Sequence, residues 1–201
     1  MNFKDIKDKI RNLQLIGKGW RGTVYKGVFD GKTLAFKIPN KEEHKKAIQK
    51  EGEILSIVNK HKIGGKLHIK GEDFIAYSFI EGKPLKDVLN KENYKNLILQ
   101  LFQQARTLDK LKINKDEFQR PLKNALVDDK GKVHLIDFER AKFSEKVSNI
   151  TQLLQFINSL EYFNIEKEKL IKLGKEYKNF PTDKNYEKIL KTIFKENNNG
   201  F

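Results

Sequence analysis

The chain has no cysteine among its 201 residues. That excludes a disulfide scaffold, a thiolate metal centre and a cysteine nucleophile, and it agrees with a reducing cytosol. No uninterrupted apolar run approaches membrane-spanning length, and the opening Met1-Asn2-Phe3-Lys4-Asp5 lacks the apolar core of a secretory signal. The expectation is a soluble, cytoplasmic protein with no membrane partner. Internal repeats and long low-complexity tracts are missing as well. His44, His61, His68 and His134 show no ligand spacing and read as surface or strand residues. Arginines are few, yet the formal net charge is +14 because lysines occur in almost every segment. Interleaved with glutamates, they read chiefly as a solvated surface, while an RNA or ribonucleoprotein partner stays open. With 38% hydrophobic and 34% charged residues, the chain can bury a core as one domain or two small lobes.

What is present centres on Gly17-Lys18-Gly19-Trp20-Arg21-Gly22-Thr23-Val24. Three glycines let a strand turn sharply and let backbone N–H groups approach a phosphate with no Cβ in the way. The chain continues as a strand, Thr23 to Val28, and not as a helix, which argues against a Rossmann unit or a P-loop. Asp30-Gly31 is a two-residue hairpin signal that folds the next strand back beside the first. That strand ends in Ala35-Phe36-Lys37, placing a cation within reach of phosphates under the glycines.

Residues 3–12 read as a short amphipathic helix with Phe3, Ile6 and Ile10 on one side. Asn40 with Glu43 resembles a capping box for a helix reaching about Lys60, striped by Ala47, Ile54, Leu55 and Val58. Glu51 lies on that stripe, and a buried acid is costly unless a cation meets it. Residues 66–80 predict a second hairpin, 85–89 a short helix and 92–111 a long one striped by Leu97, Ile98, Leu101, Phe102, Ala105 and Leu108. A further hairpin turns at Lys130-Gly131. Asn124 opens its first strand and Asp137 closes its second, thirteen residues on. The two stand at one end of the hairpin, where an amide carbonyl and a carboxylate suit Mg²⁺. Three amphipathic helices fill 146–196, and the tail 196–201 reads as frayed.

In this order, Gly17-x-Gly19-x-x-Gly22-x-Val24, Ala35-x-Lys37, Glu51, Glu81-Gly82, Asn124 and Asp137-Phe138 resemble the eukaryotic-like protein kinase superfamily over about residues 13–160. Ile136-Asp137-Phe138-Glu139-Arg140-Ala141 and the short C-terminal part look most like its small atypical branch, RIO-type and related archaeal predicted serine/threonine kinases, and bacterial lipopolysaccharide kinases. The resemblance implies an α+β, two-lobed fold: an N-lobe over 1–80 with an antiparallel sheet and one helix, and a short, mainly helical C-lobe over 81–201. It implies ATP in the cleft, Lys37 paired with Glu51 on the phosphates, and Asn124 and Asp137 on Mg²⁺. Gly17, Gly19, Gly22, Val24, Ala35, Tyr77, Ser78, Ile80 and Leu126 would contact the nucleotide, with Tyr77 as gatekeeper and backbone groups of Ser78 and Ile80 offered to adenine.

The chain departs from the family where His-Arg-Asp is usual. It offers Asn114-Lys115-Asp116-Glu117-Phe118-Gln119-Arg120-Pro121 there, leaving Glu117 or Asp116 to take the acceptor proton. Glu139 replaces the glycine of Asp-Phe-Gly, and no Ala-Pro-Glu phrase follows. The implied activity is transfer of the ATP γ-phosphoryl to a serine/threonine hydroxyl of a protein. An ATP-binding pseudokinase that scaffolds a protein or RNA, and a small-molecule kinase of lipid-sugar type, are the alternatives.

Overall fold

The computed structural model describes residues 1–195. The tail at 196–201, expected to fray, lies outside the described residues. By packing, the chain divides into two units, Met1–Glu81 with His134–Ala141, and Gly82–Val133 with Lys142–Phe201.

The first unit opens with two 3-10 turns, Phe3–Asp5 and Lys7–Lys9, where the spacing predicts one α-helix. Phe3, Ile6 and Ile10 are nevertheless buried, in one core with Leu34, Phe36, Phe74 and Ala76. Each such side chain contributes about 1.5–3 kcal/mol by leaving water. Spacings of three and four satisfy either helix type, and so short a segment gains little from α-helical propagation. Phe3 N–H is also held from outside, donating to Asp73 Oδ1 at 2.7 Å.

Strands β1 (Arg11–Lys18), β2 (Gly22–Phe29) and β3 (Lys32–Pro39) form an antiparallel meander. Asp30 and Gly31 both take positive φ, 47° and 71°, the type I′ geometry their identities predict, and Phe29 stands opposite Lys32. A 3-10 turn, Glu42–His44, precedes α1 (Lys45–Val58), which carries no side-chain cap. The capping box expected at Asn40 is therefore not formed. Helix α1 buries Ile48, Glu51, Gly52, Ile54, Leu55 and Val58, while Ala47 is only half-buried. Gly52 sets how close the helix comes, since a Cβ there would lie 2.8 Å from Ile75 Cγ2. Strands β4 (Leu67–Lys70) and β5 (Ile75–Ser78) complete a sheet in the order β1-β2-β3-β5-β4.

The second unit begins with β6 (Lys83–Pro84), α2 (Leu85–Val88) and α3 (Tyr94–Lys110). All six apolar residues of the predicted α3 stripe are buried, and so are Arg106 and Asp109. Short strands β7 (Ile113–Asn114) and β8 (Ala125–Val127) follow, with β8 antiparallel to β6. Strand β9 (Val133–Leu135) carries the chain back into the first unit. Strand β10 (Lys142–Phe143) pairs with β7, and α4 (Asn149–Ile157), α5 (Lys167–Asn179) and α6 (Asp183–Lys195) complete the helical part. The fold is α+β, an antiparallel N-terminal sheet with one helix and a mainly helical C-terminal part, as expected.

Candidate functional site

Lys37 leaves a strand paired on both sides, opposite Val24 on β2 and Ile75 on β5. Its stem runs past Gly22, where a Cβ would lie 3.1 Å from Lys37 Cε and 3.1 Å from Ile48 Cδ1. A side chain at Gly22 would thus crowd the lysine stem. Gly17 and Gly19 differ, because a Cβ would meet nothing within 4 Å at the first and only the Gly22 carbonyl, at 3.5 Å, at the second. Internal packing does not account for these two glycines.

Asn40 fixes the turn they form. Its Nδ2 donates to the carbonyls of Gly19 (2.8 Å) and Trp20 (3.0 Å), its Oδ1 accepts from Thr23 Oγ1 (2.6 Å), and its N–H donates to Arg21 O (2.8 Å). The residue whose sequence signature is that of a helix cap is a staple for the glycine-rich turn.

Only 5% of Lys37 is exposed. Its Nζ lies 2.7 Å from Glu51 Oε2, 3.0 Å from Asp137 Oδ1 and 3.2 Å from Glu139 Oε2. The other Glu51 oxygen accepts the Phe138 N–H at 3.1 Å, and the other Glu139 oxygen stands 3.4 Å from Arg21 Nη1. Lys37 therefore meets three carboxylates, one of which also meets Arg21. Burial alone would lower the proton affinity of Lys37, but the Glu51 and Asp137 carboxylates outweigh it and hold the ammonium above the ordinary lysine range. Burial pushes the Glu51 carboxyl up, and Asp137 adds to this against the pull of Lys37 and the Phe138 N–H. One oxygen from each of Glu51, Asp137 and Glu139 falls within 4.8 Å of the others. These hard oxygen donors fit Mg²⁺ by chemistry. Asp137 is the exposed member, its side chain 47% accessible, and its φ of 58° is one that aspartate tolerates better than most residues.

The remaining expected nucleotide contacts divide between the units. Ala35 is buried opposite Tyr77, whose ring lies against Gly65; a Cβ there would be 2.7 Å from it. Ser78 donates its N–H to Lys66 O at 2.8 Å, and its hydroxyl meets His68 Nε2 at 2.8 Å. Ile80 follows, half-buried. Leu126 stands opposite Pro84 in the second unit, and half-buried Asn124 closes a turn by donating its N–H to Pro121 O at 3.1 Å.

Both candidate bases already have partners. Lys115, 1% exposed, donates from Nζ to Glu117 Oε2 at 3.0 Å, and Asp116 accepts from Asn114 Nδ2 and pairs with Lys142 Nζ at 3.0 Å. Their segment is anchored from α4. Lys115 N–H donates to Asn149 Oδ1 (2.9 Å), and Asn149 Nδ2 donates to Asp109 Oδ1 (2.7 Å) and Ile113 O (2.7 Å). Asp109, 3% exposed, also accepts from Tyr177 Oη at 2.9 Å, and Arg106 Nη1 donates to that hydroxyl at 2.7 Å. Burial pushes the Asp109 carboxyl up, while hydrogen bonds from Tyr177 and Asn149 oppose the rise. This network was missed in sequence although a signal exists. Arg106 and Asp109 stand four residues after the apolar Phe102 and Ala105 and so share the buried face of α3.

No known protein family and no curated protein matches the chain. Among 1625 matching chains of known structure is a crystal structure described as a kinase domain, with a TM-score of 0.55 and 18% identity. The match covers 66% of this chain and 51% of that one, so this chain spans about half of its length. Likeness at that identity shows the fold alone, and the fold is kinase-like.

Proposed function

We propose that the chain is an ATP-dependent phosphotransferase, a serine/threonine protein kinase of the small atypical branch, with its working parts divided between residues 1–80 and 81–201. One observation carries the reading, the buried 2.7 Å pair of Lys37 and Glu51 beside a glycine-rich turn whose Gly17 and Gly19 packing does not require. A lysine so held is a permanent cation with one fixed direction, suited to oxygens of the α- and β-phosphates. Val24, Ala35, Tyr77, Ile80 and Leu126 supply the apolar contacts to the base.

For Mg²⁺ the ligands are Asp137, with Glu139 offering a further carboxylate oxygen; Asn124 joins them on the family resemblance. Bound magnesium supplies charge neutralisation of the phosphate oxygens. Glu117 or Asp116 takes the acceptor hydroxyl proton, Glu117 first because Asp116 has both Asn114 and Lys142 to satisfy. Incubation with labelled ATP, Mg²⁺ and generic protein acceptors tests this. Label should pass to the acceptor or to the chain itself, and Asp137→Ala should abolish it.

A second reading, an ATP-binding scaffold that transfers nothing, is favoured by the ion pair that neutralises Glu117. Saturable ATP binding with no transfer to any hydroxyl would select it.

A further inference from the structure

We infer that Arg21 and Lys37 form a two-cation seat for a phosphoryl group, and that the Glu139 carboxylate is its resident occupant, displaced when a nucleotide phosphate arrives. The inference rests on the nucleotide reading of this site. Glu139 spreads its two oxygens over two different cations, Oε1 at 3.4 Å from Arg21 Nη1 and Oε2 at 3.2 Å from Lys37 Nζ. A phosphoryl group presents a similar pair of oxygens with more negative charge, and a guanidinium and an ammonium are the groups that bind it best. Arg21 lies on the glycine-rich turn itself, between Trp20 and Gly22, and its side chain is 38% exposed.

Of the three carboxylates, Glu139 is the one able to yield the seat. Glu51 is 2% exposed and tied to the Phe138 N–H through its second oxygen, so it stays with Lys37. Asp137 Oδ1 meets Lys37 Nζ at 3.0 Å and accepts the Glu139 N–H at 3.4 Å, which ties it to the backbone of its own turn. Glu139 bridges both cations, from a turn, on a side chain with three rotatable bonds. Charge points the same way. A phosphate brought beside three carboxylates is repelled by each of them, and moving Glu139 off the two cations removes one of those repulsions as the phosphate arrives. The glycine-rich turn is meanwhile tied through Arg21 to the segment that follows Asp137, so the same exchange frees the turn to settle on the incoming phosphate.

The test is titration of the full chain with ATP, and with inorganic triphosphate, in the presence of EDTA so that no divalent ion takes part. Binding is read by calorimetry and by the emission of Trp20. That residue is the chain's sole tryptophan, 81% exposed and adjacent to Arg21. Glu139→Gln should tighten both ligands about tenfold and Arg21→Gln should weaken them about tenfold, the size of one charge-assisted hydrogen bond. In the Glu139→Gln background, Arg21→Gln should cancel the gain. Circular dichroism melting checks folding, and the exposed position of Arg21 keeps that arm readable if Glu139→Gln is unstable. Unchanged or weaker binding by a folded Glu139→Gln chain, with the wild type binding ATP, overturns the inference and leaves the nucleotide reading standing. Failure of wild type and Glu139→Gln alike to bind either ligand overturns both.

Discussion

The Asp109 network in the second unit and the Lys37 cluster in the first are each centred on charged side chains taken out of water, Asp109 and Arg106 in one and Lys37 and Glu51 in the other, but they close differently. Asp109 Oδ1 accepts from the Asn149 N–H and Nδ2, its Oδ2 accepts from the Ile150 N–H and Tyr177, and Arg106 passes from Tyr177 to Asp183, which also holds Lys110. Two carboxylates meet two cations, and the network anchors a loop. Around Lys37, three carboxylates converge on one ammonium, and Asp137 keeps half its side chain in solvent. Saturation is what a structural network needs, whereas a binding site holds an imbalance that a ligand resolves.

The largest effect that sharpens the contrast is Lys37→Met. It leaves Glu51 buried among other carboxylates with no cation, which should cost about 3–5 kcal/mol in urea unfolding and remove ATP binding. Asp109→Ala should come next, at about 1–3 kcal/mol for the donors it orphans. ATP affinity should then stay within about twofold of wild type, as expected for an independent site. Loss of ATP binding in Asp109→Ala would show that the two networks are not separable. Gly52→Ala gains about 1 kcal/mol of helix propensity, but the added methyl meets Ile75, and overpacking of that kind costs about 1–3 kcal/mol. Because Glu51 is the adjacent residue, the variant should also weaken ATP binding severalfold in calorimetry.

The smallest effect is one of pH. Hydrogen bonds from Lys110 and then Arg106 hold the Asp183 carboxyl below its ordinary value of 3.8. The native state therefore binds fewer protons than the unfolded chain in that window. The stability Asp183 contributes is present above pH 3.8 and is lost as pH falls through its depressed native value. Asp183→Asn should flatten the acid limb of unfolding midpoint against pH, and an unchanged limb would remove Asp183 from the balance.

Much of this contrast can be read from local pattern on one side and hardly at all on the other. The Asp30-Gly31 hairpin and the α3 stripe were legible because turn chemistry and helical period are carried by neighbouring residues. Lys37 and Glu51 could be matched because a buried acid requires a cation. Asn40 was not legible in the same way. An asparagine three residues before a glutamate satisfies the capping rule equally well, and the choice was made by Thr23 and the carbonyls of the glycine-rich turn. Arg21 and Glu139 are 118 residues apart, and nothing local encodes their contact. Ser78 shows the same limit, since its N–H is taken by the carbonyl of Lys66, just before β4.

The most direct test of the central claim is equilibrium titration of MgATP into the wild-type chain and Lys37→Met, with folding of both confirmed by circular dichroism. Saturable binding at one site in the wild type, gone in the variant, is the predicted result. Saturable binding that survives replacement of Lys37, or its absence from the folded wild type, would contradict it.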